Sequence, residues 1–361
     1  MNAIDEQVRV STIPKGSQFN LRPFCAFRKE FFMKPFSDIN RQLSILKSRN
    51  LTISNYNLAR NSLMRYGYYE IVNGYKTFLL DPSSDTDQYK DGTTFRELID
   101  LYDLDKSIRS AVMLAALEVE LSLRTAIAYT LSEDFGVLES EYLKYNNFIQ
   151  GERFEDHGRV TNERNEMVRI LRSFLQRDIE PLNHYRNNHG HIPPWILMKE
   201  TSFGNLKHIF KLLRGPQKKK VISICYGIDI GEVSDNHIAL FKDSLALINA
   251  FRNRAAHNGR IFNFKPEKYP IRYNALFHPN KGFSEASYRK GNGKNDLYTL
   301  YKVLEMFENF TAQFNLEFYL SIHVGRHCNQ SPNDLTLLIT EMGFPKEIIE
   351  TLIDKYYKQI Q

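Results

Sequence analysis

Arg252, Asn253 and His257 place a guanidinium, an amide and an imidazole close together in the chain. Residues 235–258 have helical period, with Phe241, Leu245 and Ile248 on an apolar stripe whose next position is Arg252. A charge on such a stripe must meet a carboxylate, a partner surface or an anionic ligand, because burying it unpaired costs several kcal/mol. Asn253 and His257 share a helix face, about 40° apart on the wheel, and Arg252 is long enough to reach them. A guanidinium can stabilise a pentavalent phosphate, and an imidazole can take or give a proton near neutral pH. The set suits cleavage of RNA by attack of its own 2′-hydroxyl, a reaction that needs no metal. A plainer arrangement uses the same residues: Arg252 paired with a buried glutamate, and His257 closing the helix where the dipole favours it. Spacing alone leaves both open.

The elements that must position this set are helices. Ser37 reads as an N-cap before Ile39, Leu43 and Leu46, and Lys47 to Arg49 close that helix with positive charge. A second helix starts near Asn55 and ends in the aromatic stretch Tyr66, Tyr68 and Tyr69, followed by Gly74 and Tyr75. Residues 81–92 form a polar loop. Residues 94–135 predict one long helix or two, with Ile108, Val112, Ala115, Val119 and Leu123 as a clean stripe. The charged residues 151–165 are expected to open a further helix through Met167, Ile170, Leu171 and Phe174. Residues 184–194 are expected to be a loop, with a helix starting at Ser202, and residues 265–293 a long loop. Residues 295–320 and 334–357 are helical again. The fold class is all-α.

The composition is globular, with 42% hydrophobic and 25% charged residues in a chain of 361, long enough to bury a core without staples. A net charge of +6 permits a polyanionic partner without demanding one. Cys25, Cys225 and Cys328 lie far apart with no CxxC, which excludes a disulfide framework and a cysteine zinc site. A reducing, cytoplasmic setting is the economical expectation. The first sixteen residues have no apolar core, and the apolar residues 111–131 carry Glu118, Glu120 and Arg124, so no signal peptide and no membrane span is expected. There is no Gly-rich phosphate loop, no paired-acid motif of a two-metal nuclease and no GxSxG.

Residues 251–263 resemble the R-x4-6-H motif of the HEPN superfamily, in the version carried by Abi-like (abortive infection, AbiD/AbiF-type) bacteriophage-resistance proteins. Other landmarks of that family follow in order. Lys34-Pro35, Gln42-Leu43 and residues 47–51 are similar to its opening K-P…Q…L-K-x-R-G-L, and Tyr68-Tyr69 with Gly74-Tyr75 to its Y-Y-R-L-x-G-Y. Phe95, Leu101-Tyr102, Asp105 and Arg109 resemble F…L-Y-x-x-D…R, and residues 118–128 resemble E-x-x-L-R-T-x-I-A. Pro194-Trp195, Ser202-Phe203-Gly204 and Gly343-Phe344-Pro345 are similar to P-x-W…S-F-G and M-G-F-P. The resemblance covers roughly residues 34–263. One departure is Asn258, where the family often has His or Glu.

The resemblance implies a HEPN-type helical bundle with additional N- and C-terminal helices. The expected divisions are an N-terminal extension (1–33), an N-terminal helical unit (34–92), a HEPN-like core (93–264), a loop (265–293) and C-terminal helices (294–361). It implies a metal-independent endoribonuclease that blocks phage spread, toxic to its own cell and silenced by an inhibitor until infection. His257 would transfer the proton, Arg252 steady the phosphate and Asn253 orient the scissile group, in a site built by a homodimer and without a cofactor. The alternative, of another class, is a non-catalytic HEPN protein that holds a specific noncoding RNA; a third is a purely structural dimerisation module.

Supporting candidates surround the motif. Glu120 and Arg124 are either a buried structural ion pair or, through Glu120, a means of orienting Arg252. Lys218, Lys219 and Lys220, with Arg254 and Arg260, could contact RNA phosphates, although such runs are usually solvated faces. Tyr66, Tyr68, Tyr69 and Tyr75 read as packing before base stacking. His184, His189 and His191 lack acidic partners at ligand spacing, so no metal site is expected.

Overall fold

A computed structural model describes residues 35–360 of the chain; the expected N-terminal extension, Cys25 and Lys34 lie outside the described residues. The first unit contains α1 (Ile39–Ser48), α2 (Tyr56–Tyr66) and α3 (Gly74–Leu79), with one π-helical turn at Tyr69–Asn73 joining the last two. The cap of α1 is Asp38 rather than Ser37: its carboxylate accepts from the Arg41 N–H at 2.8 Å and also answers the helix dipole.

Next comes α4 (Phe95–Phe135), a single helix of 41 residues and about 60 Å long. No Gly or Pro interrupts it, a Thr94–Glu97 capping box starts it, and Gly136 at φ +85° stops it. Ile108, Val112, Ala115, Val119 and Leu123 are all buried, so α4 is the axis on which the core is built.

Helix α5 (Glu139–Tyr142) precedes a hairpin of β1 (Arg153–Asp156) and β2 (Arg159–Asn162), in antiparallel register Arg153 to Asn162. The charged residues expected to open a helix therefore pair as strands. His157 and Gly158 both take positive φ, 46° and 78°, as a two-residue hairpin turn requires, and this local chemistry overrides the helical composition around it. Helix α6 (Glu163–Leu175) starts only after Asn162, whose side chain accepts from the Asn165 N–H at 3.0 Å.

The expected loop at 184–194 is also corrected in part. Residues Leu182–His189 form α7, whose polar side chains bond along their own helix, as Asn188 does to His184. Then follow α8 (Pro194–Leu197), α9 (Phe203–Leu212, capped by Ser202), α10 (Gly215–Tyr226) and α11 (Asp235–Ala256). Helices α8 to α11 pack against α4. The expected loop at 265–293 is broken by the short helix α12 (Glu285–Arg289), which Ser284 caps by accepting from the Ser287 N–H; beyond it come α13 (Leu297–Leu304), α14 (Thr311–Gln330), α15 (Leu335–Met342) and α16 (Lys346–Ile360). Helix α14 lies along α4 in the most extensive helix pairing of the described residues. The fold is all-α apart from the hairpin. Among the described residues no helix is long and apolar enough to cross a membrane.

The long loop is organised around His278, which is fully buried. Its Nδ1 accepts from the Asn274 N–H at 3.0 Å and its Nε2 lies 3.0 Å from the Gly293 carbonyl, so the neutral imidazole with the proton on Nε2 satisfies both. Burial pulls its pKa below the ordinary histidine value, against the raising effect of the two carbonyls. A histidine depressed in the folded state binds its proton more readily when unfolded, so its contribution is present above the ordinary value and is lost as pH falls below it. The melting temperature should drop between neutral pH and pH about 5. That drop should be smaller in His278→Asn, as calorimetry across that range will show.

Candidate functional site

The last turn of α11 carries the motif. Its buried face runs Leu245, Ile248, Phe251 and Ala255, so the apolar stripe passes through Phe251, and Arg252 sits half-buried at its edge. This corrects the wheel reading: from Ile248 the core takes the +3 position, since Phe251 can fill it and Arg252 cannot. Arg252 Nη1 donates to Asn253 Oδ1 at 3.3 Å, and its Nε is buried without a partner. Among the described residues no carboxylate pairs with it. The glutamate that could have done so, Glu120, binds Arg124 Nη2 at 2.5 Å instead.

His257 is the exposed C-cap of α11. After it the chain makes a Schellman turn: the Gly259 N–H bonds the Arg254 carbonyl at 2.9 Å and the Asn258 N–H the Ala255 carbonyl at 3.1 Å. Asn258, the departure noted in the sequence, occupies the left-handed position at φ +56°. After glycine, asparagine enters that conformation at least cost.

From this turn the chain drops onto α4, and one buried carboxylate fixes it. Asp105 Oδ1 accepts from the Ile261 and Phe262 N–H groups at 2.9 and 2.8 Å. Its Oδ2 accepts from Tyr75 Oη at 2.8 Å and Arg109 Nη1 at 2.6 Å. Arg260 completes the tie: Nη1 donates to the Gly74 carbonyl, and the guanidinium lies 5.3 Å from the centre of the Phe78 ring.

Two sequence landmarks 180 residues apart, roughly, are thereby joined at one cleft of about 260 Å³. The π-helical turn contributes Tyr69, Glu70 and Asn73, and the motif turn contributes Arg254, His257 and Arg260. Single π-turns inside helical segments are frequent at functional sites. Tyr69 and His257 are exposed, while Tyr75 is buried and Tyr66 packs on Tyr102, so of the four tyrosines Tyr69 is the one left free to stack. Arg254 is exposed, with its Nε–H donating to the Arg260 carbonyl at 3.2 Å. The cleft offers two guanidinium groups, an imidazole, a carboxylate and the amides of Asn73 and Asn258. Such a set can hold a phosphate and move a proton. Arg252 does not line this cleft, and Asn253 does not either.

The basic run is rearranged. Lys218 is buried, and burial, with Lys242 nearby, pulls it down to about 8. Lys219 and Lys220 are both part-exposed, and Lys220 is paired with Glu133 at 2.6 Å and also with Asp134 of α4. The run is therefore divided among a buried lysine, a paired one and Lys219, on a helix that packs on α4 and α11. Glu120 and Arg124 form the structural ion pair, with Arg124 also 3.5 Å from the Thr201 carbonyl. Glu120→Ala should cost on the order of 3 kcal/mol in chemical denaturation by stranding Arg124, whereas Glu120→Leu with Arg124→Leu should cost less.

Sequence reasoning did not single out Glu70, Asn73 or Asp105 as site residues. Asp105 and Arg109 carried a signal, since they stand four apart on the buried stripe of α4 and a buried carboxylate needs several donors. Nothing local marks Glu70 and Asn73; only the tertiary fold brings them to His257.

The fold and cleft define an all-α protein with a helix-terminal Arg/His motif anchored to a central helix. The family model for Abi-like proteins matches residues 61–263, from within α2 to just past the motif turn, and the chain belongs to that family. No curated protein and no solved structure matches the chain.

Proposed function

We propose that this chain is an abortive-infection protein of HEPN type that restricts phage by metal-independent cleavage of RNA in the cytoplasm. His257 transfers a proton to or from the ribose or leaving oxygen, Arg252 steadies the phosphate, and Asn253 orients the scissile group. Arg254 and Arg260 hold the RNA backbone at the cleft. The observation that carries the reading is the cleft itself, where an exposed imidazole stands among guanidinium groups at the meeting of two family landmarks.

The position of Arg252 supports a site made by two copies. It lies about 140° around the helix from His257, outside the cleft, and among the described residues no carboxylate neutralises it. A homodimer would bring Arg252 of one copy to the cleft of the other. An activity of this kind requires an inhibitor before infection, whether RNA, protein or an inactive assembly.

The test incubates the purified protein with total bacterial RNA in EDTA and records its absorbance ratio at 260 and 280 nm. Fragmentation by the wild type and not by His257→Ala is the expected result. Intact RNA with a high ratio from both proteins would overturn cleavage in favour of a protein that holds RNA.

A further inference from the structure

Helices α4 and α14 run antiparallel. Asn309, just before α14, bonds Glu118 and Ser122 of α4 at 3.2 and 3.5 Å, and near its far end α14 shares a cleft of about 290 Å³ with the first half of α4. The cleft lies away from the motif. Asp103 and Ser107 line it, each two residues from Asp105 and so about 160° around the helix, whereas Asp105 faces the motif turn. Nothing in the proposed cleavage uses this side of α4.

Its two walls differ in charge. The α14 wall presents His323, Arg326 and His327, which +3 and +4 steps put on one helix face, and among the described residues it carries no carboxylate. Arg326 is exposed, and among the described residues it makes no hydrogen bond or ion pair. Burial, with the Arg326 charge beside it, holds His323 below the ordinary histidine value. His327 is buried, with Nε2 lying 2.8 Å from Asp334 Oδ2, so Nδ1 is the ring nitrogen with bonding capacity left. The α4 wall is acceptor-rich. Asp100 is held by Arg96 Nε at 2.8 Å, while the Asp103 carboxylate is exposed and, among the described residues, unpaired. Arg326 and Asp103 do not pair with each other, which leaves a free cation on one wall and a free acceptor on the other. Leu104 is the apolar residue of the lining, and among the described residues no Phe, Tyr or Trp lines the cleft, so a nucleobase finds no ring to stack on.

We propose that this cleft binds a small phosphomonoester with a hydroxyl-bearing body, of the sugar-phosphate class, with its phosphate on His323, Arg326 and His327 and its hydroxyls on Asp103 and Ser107. A guanidinium meets phosphate oxygens through paired N–H donors, and ring nitrogens beside it add charge-assisted bonds. A carboxylate accepts from hydroxyl groups and repels a second phosphate, which fixes the direction in which the ligand lies. The site is separate from the motif cleft, and its occupancy can be measured whether or not the motif cleaves RNA.

Titration calorimetry of the full chain with ribose 5-phosphate, inorganic phosphate and ribose tests it. Ribose 5-phosphate should bind with a Kd below about 1 mM, inorganic phosphate at least about 10-fold more weakly, and ribose not at all. Arg326→Gln should weaken ribose 5-phosphate at least about 10-fold, and Asp103→Asn should remove its advantage over inorganic phosphate. Both side chains are exposed and make no bond within the described residues, so the melting temperature of each variant should match the wild type. No heat from ribose 5-phosphate at about 10 mM would overturn the inference, as would an affinity that Arg326→Gln leaves unchanged. Inorganic phosphate binding as tightly as the ester, or an advantage that survives Asp103→Asn, would overturn it as well. Binding that survives Arg326→Gln and is lost in His257→Ala would move the phosphate to the motif cleft.

Discussion

Arg252→Ala and His257→Ala should each lower RNA cleavage at least about 100-fold, and an equal mixture of the two proteins should recover about a quarter of wild-type activity. Neither side chain supports the core: His257 is exposed at the end of α11, and among the described residues Arg252 bonds its neighbour Asn253 alone. Loss of activity with unchanged melting would therefore report chemistry rather than folding. Recovery on mixing is what the proposed two-copy site requires. Arg252 lies outside the cleft that His257 lines, so a composite site takes the guanidinium from one copy and the imidazole from another. In a mixed dimer one of the two sites receives both intact residues, and random pairing makes half of the dimers mixed. Full-length subunits combined by unfolding and refolding, or by co-expression with different tags, would supply the mixture. If both single variants are inactive and the mixture is no better, the site is contained in one chain and the two-copy arrangement is wrong. If either variant cleaves at the wild-type rate, that residue has no part in the reaction.

The second large effect is expected at Asp105, which touches neither motif residue. Asp105→Ala should destabilise the protein by about 3–5 kcal/mol. It strands Arg109 in the core and leaves the Ile261 and Phe262 amides and the Tyr75 hydroxyl without their acceptor. Burial raises the Asp105 pKa, opposed by Arg109 and the two amides. The carboxylate is thus costly to place there, and four donors offset that cost. Asp105→Asn keeps the shape but turns an amide NH₂ toward either Arg109 or the two backbone amides, which can only donate, and leaves the Tyr75 hydroxyl as the one neighbour able to accept from it, so it should recover little. Replacing Asp105 and Arg109 together by leucine should cost less in stability than Asp105→Ala, because no charge is left unpaired. RNA cleavage should be lost in that double variant all the same, since the chain after Asn258 loses the two amide bonds that hold the motif turn against α4. Urea denaturation and the RNA assay measure the two effects separately. A double variant that is stable and fully active would show that the Asp105 cluster serves the fold and not the site.

The helical class and the central helix were legible because both depend on local pattern. The stripe Ile108, Val112, Ala115, Val119 and Leu123 has a period of 3.6, and no Gly or Pro breaks residues 95–135. The failures were also local in origin. The hairpin at 153–162 hangs on two residues with positive φ, and charged composition conceals that signal. The wheel placed Arg252 in the core because +3 and +4 steps from Ile248 are equally helical, and only the packed neighbours select Phe251.

By itself the sequence determined the helices, the motif residues and the family landmarks, since each is written in short spacings that a chain carries before it folds. The tertiary structure alone decided what those residues face. It split Arg252 from His257, buried Lys218 and paired Lys220 with Glu133 and Asp134. It brought Glu70 and Asn73 to the motif turn and hung that turn on Asp105. The physical reason is that burial and pairing are properties of contacts between distant segments. A guanidinium or a carboxylate has the same intrinsic chemistry in any sequence, and its neighbours across the fold settle whether it is free to act.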